Sequence, residues 1–177
     1  IDTLSPWQWS FDFSDNDGYY EFKTNATDSA GNVENDTGTD ASSGYDAGLP
    51  ASSVDMISPY WLIGSPLLVT VAANDALSGL TTVELFYRYS IDNSTWDTWT
   101  SFGTDTQGPW SWSFNFPDGD GYYEFYSKAT DNATNEEFGN ATDALCGYDS
   151  TPPIADAGFD ISVDEDETFG LDGSGSK

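Results

Sequence analysis

The residues of this sequence best suited to chemistry are carboxylates at alternate positions around Asp-Gly turns. Asp118 and Asp120 flank a glycine ahead of Glu124, and Asp15, Asp17 and Glu21 are equivalently placed, with Asn16 in place of that glycine. Hard cations bind clusters of carboxylate oxygens, so the pattern predicts calcium in these turns. Asp-Gly turns also form without metal, and the twelfth-position glutamate of an EF-hand loop is missing, so both interpretations stay open.

Other residue types give little support to catalysis. The chain has no histidine and one cysteine, Cys146, which excludes a Ser-His-Asp or Cys-His arrangement and a thiolate cluster for zinc. Glu136 and Glu137 are adjacent, whereas the acid and base of a glycosidase lie across a cleft from each other. We expect this pair to be solvated, as we do the acidic run at 164–167. We expect Cys146 to be a small buried side chain rather than a reactive thiol, and the protein not to be an enzyme.

The charge balance excludes two classes of partner. Asp and Glu number 31 against 4 Lys and Arg, giving a formal net charge of −27. Such a surface repels nucleic acid and anionic lipid, and no apolar run approaches the ~20 residues that span a bilayer. The acidity favours either solubility in salt or cation binding. Aromatic residues, 16% of the chain, supply enough apolar surface for folded cores.

A long internal repeat defines the domain organisation. Residues 6–50 recur without a gap at 109–153, which is 103 residues further along, with 26 of 45 positions identical. We call these segments the first copy and the second copy. The period matches one self-sufficient β-sandwich domain. Its phase predicts the C-terminal half of a domain over 1–47, a complete domain over 48–150 and the start of a different domain over 151–177, so the chain ends do not coincide with domain ends.

The pattern of residues 48–150 predicts an all-β domain of seven strands, because short alternating segments lie between turn residues without helical periodicity. Aromatic residues that alternate with polar ones mark the core face of one strand. They are Trp110, Trp112, Phe114 and Phe116, and in the first copy Trp7, Trp9, Phe11 and Phe13. The expected strands are 53–57, 67–73, 82–91, 95–102, 110–116, 122–130 and 141–148.

Both copies contain the sequence DGYYEF, which resembles the tyrosine-corner region of immunoglobulin-like domains. The resemblance implies that Tyr20 and Tyr123 point inward and that each hydroxyl bonds nearby backbone. Residues 26–32 and 129–135 are similar to the F–G turn of bacterial and archaeal Ig-like repeats, with Thr134 where that family usually has glycine. The likeness implies tandem Ig-like or fibronectin type III-like antiparallel sandwiches. Residues 151–177 are similar to the start of a PKD domain.

The junction between consecutive domains is a second expected location for calcium. Both copies end in Gly-Tyr-Asp and run into prolines, which predicts a stiff connection. At such a junction Asp46 or Asp149 could meet Asp75, and their carboxylates would suit a hard cation.

Five asparagines begin an Asn-X-Ser/Thr sequence, the acceptor of N-linked glycans. They are Asn25, Asn35, Asn93, Asn132 and Asn140. Most fall in expected turns or strand edges, where a glycan is tolerated, although turn-rich β proteins also accumulate Asn and Thr without glycosylation. Four further aromatics could stack on sugars, but core packing is the commoner role of such residues. They are Tyr60, Trp61, Trp96 and Trp99.

The resemblance to surface repeats implies a non-enzymatic, extracellular structural or adhesive module of a repetitive cell-surface protein: a stalk, surface layer, adhesin or filament subunit. Its expected partners are neighbouring copies of the protein, adjoining Ig-like domains and cell-surface glycans. The alternative is a spacer or carbohydrate-binding region of a secreted hydrolase. Two accounts are open for the half domain: its missing strands lie upstream in a longer chain, or residues 154–171 of a neighbouring subunit complete it by β-strand addition.

Overall fold

Within residues 2–177, which the computed structural model describes, all regular secondary structure is β-strand. No helix occurs in that range, and therefore none that is long and apolar enough to cross a membrane. The strands are β1 (Gly18–Phe22), β2 (Ala41–Tyr45), β3 (Ala51–Val54), β4 (Trp61–Leu62), β5 (Leu67–Asn74), β6 (Leu80–Ser90), β7 (Thr100–Asp105), β8 (Ser111–Phe114), β9 (Gly121–Asp131) and β10 (Ala144–Tyr148).

Strands β3 to β10 form two sheets, and we call this part of the chain, residues 48–150, the complete unit. A five-stranded sheet has the order β4-β10-β9-β6-β7, and a three-stranded sheet has the order β3-β5-β8. All neighbours are antiparallel except β4, which runs parallel to β10. The buried residues of both sheets form a single core. The predicted all-β, sandwich-like fold is therefore confirmed. Each of the seven expected strands overlaps a strand of this unit, and β4 is an eighth that the pattern missed.

The core is dominated by aromatic rings that follow the predicted alternation. Phe114, Tyr123 and Phe125 are 0% exposed. Phe116 is also buried, and Trp110 packs against the same cluster. Burial of each large side chain contributes about 1.5–3 kcal/mol, so a few such rings supply much of the drive to bring the sheets together.

The tyrosine corner implied by the DGYYEF sequence is present in both copies. The Tyr123 hydroxyl donates to the Gly119 carbonyl oxygen at 2.8 Å, and the Tyr20 hydroxyl donates to the Asn16 carbonyl oxygen at 2.5 Å. Burial raises the pKa of Tyr123 above the ordinary value of a tyrosine, so the hydroxyl keeps its proton and remains a donor. Each bond fixes the turn that precedes its strand.

Strand β7 begins five residues later than expected, at Thr100. The preceding residues are held by other contacts: Asp92 accepts hydrogen bonds from the Ser94 and Thr95 N–H groups, and the Asp97 N–H donates to the Tyr89 carbonyl at 2.9 Å. These bonds build a wide turn after β6. Trp96 and Trp99 therefore belong to no ladder: both pack on the Arg88 guanidinium, and Trp99 also meets the Tyr126 ring of β9.

Strand β4 was missed because its two residues are too short to show a period. It pairs with β10 through Gly147, and the Trp61 ring lies directly on this glycine. A Cβ atom at Gly147 would approach the ring to 2.4 Å. A β10 residue without a side chain is thus what lets β4 join the sheet.

Two carboxylates join the two sheets beside β3. Glu137 accepts hydrogen bonds from the Ser52 N–H at 2.9 Å and the Ala129 N–H at 3.1 Å. Asp143 accepts from the Val54 N–H and the Ser127 N–H, both at 3.0 Å. The expectation that Glu137 is solvated was wrong, because it satisfies buried backbone donors. Glu136 does face solvent, where it forms an ion pair with Lys128 at 2.6 Å.

The first copy forms only β1 and β2, which pair with each other. Its aromatic segment was expected to form a strand, as its equivalent β8 does, but residues 7–13 have no strand structure. The physical reason is the absence of a partner: β8 pairs with β5, and residues 2–177 contain no equivalent of β5 for the first copy. The half core is left open, with Trp7 and Trp9 each 63% exposed.

Residues 151–177 are exposed and contain no strand. Their regular backbone pairing is limited to Ile154 and Lys177, whose N–H and carbonyl groups exchange two hydrogen bonds of 2.7 and 2.9 Å. Cys146, in contrast, is 0% exposed, and burial raises the pKa of its thiol to about 12. The prediction that Cys146 is a small buried side chain is confirmed.

The two copies offer a matched test of the glycine beneath Trp61. Gly147→Ala should lower the free energy of unfolding by about 1–3 kcal/mol, because the added methyl group overpacks against the ring. Gly44→Ala is the control, since its nearest neighbour is the Tyr19 ring at 3.8 Å. It should change stability by less than about 0.5 kcal/mol. Urea denaturation of both variants measures the difference, and equal effects would contradict the proposed role of the contact.

A candidate cation site at the junction between the copies

Three carboxylates converge where the first copy meets the complete unit. Oxygen atoms of Asp46, Asp75 and Asp131 lie within 4.8 Å of one another. Asp131 is 1% exposed and the other two are half-buried. Among residues 2–177 this is the only group of three or more acidic, histidine or cysteine side chains that is so close. The expected meeting of Asp46 with Asp75 is therefore present.

Local structure explains why each carboxylate points into the cluster. Asp46 directly follows β2, Asp75 directly follows β5, and Asp131 ends β9. Asp75 accepts from the Leu77 N–H at 2.9 Å and the Gly79 N–H at 2.8 Å, which closes the β5–β6 turn around it.

Asn135 holds Asp131 in place and reaches the first copy. Its backbone N–H and its side-chain amide each donate to Asp131 at 2.8 Å. The same amide nitrogen also donates to the Asp46 carbonyl oxygen at 3.1 Å. One side chain thus connects the β9 turn to the residue that leaves the first copy.

Ser78 contacts Asp46 from the other side. Its N–H donates to the Asp46 carboxylate at 2.9 Å. Its hydroxyl is also buried and lies beside the same carboxylate. The Ser78 hydroxyl, followed by its N–H, holds the pKa of Asp46 below the ordinary range. A cavity of about 240 Å³ runs beside the cluster, lined by Tyr19, Tyr45, Leu77 and Ala133 among others.

The cluster has the donor set of a hard-cation site. It offers three carboxylates, and calcium takes six to eight oxygen ligands. No Lys or Arg side chain forms an ion pair with these carboxylates in the described part of the chain. Backbone and amide N–H groups offset part of their repulsion, and a divalent ion would offset the rest.

The carboxylates of the two Asp-Gly turns serve other contacts. Asp120 accepts from the Ser150 N–H at 2.9 Å and the Thr151 hydroxyl at 2.7 Å, and Asp17 accepts from the Ala47 N–H at 2.9 Å. These bonds fix the exit of each copy. Glu124 pairs with Arg88 and also accepts from Thr142.

The expected trios are not gathered as the junction trio is. Neither Asp118, Asp120 and Glu124 nor Asp15, Asp17 and Glu21 form a group within 4.8 Å in the described range. Asp149, the equivalent of Asp46, accepts from the Thr151 N–H at 2.9 Å. Asp46 makes the same bond to the Gly48 N–H, so both copies leave through one geometry.

The aromatics considered for sugar stacking are partly occupied by protein contacts. The Arg88 guanidinium lies 5.1 Å from the Trp96 ring and 4.5 Å from the Trp99 ring. Trp61 covers Gly147 and meets Tyr60 edge to face at 5.5 Å, with 51% of its own surface exposed.

All five sequon asparagines are exposed, but one is already engaged. The Asn132 side-chain nitrogen donates to the Ser78 carbonyl at 2.8 Å, and its oxygen accepts from the Thr81 hydroxyl at 2.7 Å. The other four make no side-chain hydrogen bond within residues 2–177. Asn132 therefore braces the β5–β6 turn beside the junction.

No protein-family model and no curated protein matches this chain. The junction is thus described by its own geometry.

Sequence reasoning missed Asp131 and Ser78 as parts of the junction. Asp131 had a signal, because an Asp four residues ahead of an Asn at the end of a strand builds a turn that can face a neighbour. Ser78 had none, since its role depends on the packing of the turn against the first copy.

The turn that follows β9, residues 131–135, has backbone strain at Thr134. This residue has φ of 73°, a left-handed conformation that its first-copy equivalent Gly31 adopts at 91°. A β-branched residue is disfavoured there. The turn geometry of the two copies is therefore the same despite the substitution.

Replacing Thr134 with Gly should stabilise the complete unit by about 1 kcal/mol, because relief of strain exceeds the added entropy of the unfolded chain. Ala133→Gly in the same turn is the matched control, since Ala133 does not have positive φ. It should destabilise by about 0.5–1 kcal/mol. Thermal unfolding of unglycosylated protein measures both, and a destabilising Thr134→Gly would show that the threonine is not strained.

Proposed function

We propose that this chain is a non-enzymatic structural module of an extracellular, repetitive surface protein built from tandem immunoglobulin-like or fibronectin type III-like domains. The observation that carries the proposal is the junction: the residue leaving one copy is bonded into two loops of the next unit through Ser78 and Asn135. Contacts of this kind keep consecutive domains in a fixed relation, which a stalk, surface layer or filament requires.

The strand order supports the immunoglobulin-like part of the proposal. Strands β3, β5 and β8 take the places of A, B and E, while β6, β9 and β10 take those of C, F and G. Two carboxylates support a structural role, since Glu137 and Asp143 accept hydrogen bonds from backbone N–H groups instead of facing each other across a cleft. The acidic surface, the sequons and the repetition support the extracellular setting.

The proposal includes calcium at the junction of Asp46, Asp75 and Asp131. A cation there would link a residue of the first copy to two loops of the complete unit and so stiffen the connection. The convergence of three carboxylates without a cationic side chain paired to them in the described part of the chain supports this assignment.

Calcium should raise the melting temperature of the protein. For the Kd of about 0.1–1 mM typical of extracellular modules, ~10 mM Ca²⁺ stabilises by about 1.4–2.7 kcal/mol through mass action. Asp75→Asn with Asp131→Asn should abolish the shift, whereas Asp118→Asn with Asp120→Asn, in the β8–β9 turn, should retain it. Differential scanning calorimetry with Mg²⁺ as the comparison ion measures this. The opposite pattern would place the cation in the turn, and no shift in any protein would remove calcium from the proposal.

The surface role is tested on cells that produce the protein. Antibodies against residues 48–150 should label intact, unpermeabilised cells and the envelope fraction. Material found only in the medium, attached to a hydrolase, would favour the spacer alternative, and a cytoplasmic location would reject both. Glycopeptide mapping of the same material should find glycans among Asn25, Asn35, Asn93 and Asn140. Asn132 is the internal control, because its amide nitrogen is bonded to Ser78 and should remain unmodified.

A further inference from the structure

The first copy carries an open aromatic face that already has the geometry of a covered core. Phe11 is 51% exposed, whereas its equivalent Phe114 is 0% exposed. Yet Phe11 lies 5.0 Å from Phe22, and Phe114 lies 4.9 Å from Phe125. An apolar face held in this form is an interaction surface.

The remaining rings of the two copies match in the same way. Phe13 stacks on Tyr45 at 4.6 Å and 1°, and Phe116 stacks on Tyr148 at 4.0 Å and 2°. In the complete unit the equivalent rings share one core with residues of β3, β5, β6 and β7, among them Val54, Val69, Leu85 and Phe102. The open face of the first copy therefore fits apolar strands of that pattern.

Two carboxylates at the edge of this face are bonded on one side only. Glu34 and Asp40 are the equivalents of Glu137 and Asp143. Glu34 accepts from the Ala26 N–H at 3.0 Å, and Asp40 accepts from the Thr24 hydroxyl at 2.6 Å. In the complete unit each equivalent carboxylate also accepts from β3, and within residues 2–177 no N–H group takes that place for the first copy. They are spaced to receive N–H groups at positions i and i+2 of an extended strand.

A third feature is the space above Gly44. Its equivalent Gly147 is covered by the Trp61 ring, while Gly44 has nothing nearer than Tyr19 at 3.8 Å. The glycine leaves room for an aromatic ring on the first copy.

We infer that the open face of the first copy binds a strand set with the chemistry of residues 51–105. That set supplies two backbone N–H groups to Glu34 and Asp40, an aromatic ring to Gly44, and apolar strands to Phe11 and Phe22. The inference rests on the tandem architecture proposed above. The occupant is a further segment of the same domain type and not a second copy of residues 2–177, because the one such set among these residues already packs on residues 109–148.

The test supplies the occupant covalently. Residues 48–108 are joined directly ahead of residue 6, so that the new link repeats the native one between 108 and 109. Binding of an apolar dye, which the unfused chain should show, is expected to fall at least about fivefold. Hydrogen exchange at the fused Ser52 and Val54 amides should slow to the rate of the native pair. As a matched control, Val69→Asp in the fused segment should restore dye binding, since Val69 is 1% exposed in the complete unit.

The polar contacts have their own readout. Glu34→Ala with Asp40→Ala should accelerate exchange at the fused Ser52 and Val54 amides while leaving the native pair unchanged. Equal exchange with and without these substitutions would overturn their role as acceptors.

Several outcomes would overturn the inference. Dye binding that is unchanged in the fused chain would overturn the inference, provided that residues 48–150 remain folded. If the fused chain does not fold, the same segment is attached after Lys177 through a flexible linker of about 40 residues, and dye binding unchanged there also rejects it. An unfused chain that dimerises and excludes the dye would make a second copy the occupant. Increased dye binding after deletion of 154–177 would identify the tail instead. Each result leaves the calcium test at Asp75 and Asp131 unaffected.

Discussion

The complete unit depends on how the N–H groups of edge strand β3 are satisfied. Alternate residues of β3 bond to β5, which leaves Ser52 and Val54 donating towards the opposite sheet. On that sheet the β10 ladder covers β9 only as far as Phe125, so its later N–H groups also need acceptors. Glu137 and Asp143 serve both sets at once. Since a buried N–H without a partner costs about 1–3 kcal/mol, four such groups would oppose closure of the sandwich if the carboxylates were absent.

The same constraint explains why near-identical sequences have different structures in one chain. Trp110 to Phe116 contains β8 because β5 supplies its hydrogen-bond partners, while the equivalent aromatic segment of the first copy has no partner and forms no strand. β1 and β2 do form, because they pair with each other. Alternation in a sequence thus specifies which face will be buried, but a strand needs a ladder to exist.

This difference sets what the sequence could predict. Features decided by residues close together in the sequence were predicted well: the core face of Phe114 and Phe116, the tyrosine corner, the burial of Cys146 and the all-β fold. Features decided by distant pairing were not. β4 depends on a glycine more than eighty residues away, and Glu137 depends on strand β3. The junction lies between these cases. The meeting of Asp46 with Asp75 was expected from the Gly-Tyr-Asp endings, whereas Asp131 and Ser78 enter through turns whose packing is not encoded locally.

An excess of carboxylates with few cations requires another source of stabilisation, and this chain uses N–H groups. The described residues contain only two ion pairs. Asp28, Asp92 and Asp120 instead accept several hydrogen bonds each, which hold their pKa values below the ordinary range. The main donor is the Asn32 side chain for Asp28, the Thr95 N–H for Asp92 and the Ser150 N–H for Asp120. Lowered carboxyl pKa values stabilise the fold above the unfolded pKa of about 4, and this contribution is lost as the pH falls through the folded values. Salt screens the repulsion among surface charges much more than it weakens such short hydrogen bonds. An acidic sandwich held together in this way gains from salt, whereas a protein built on ion pairs would lose. Among residues 2–177, three carboxylates converge only at the junction, and a cation would have the most repulsion to offset there.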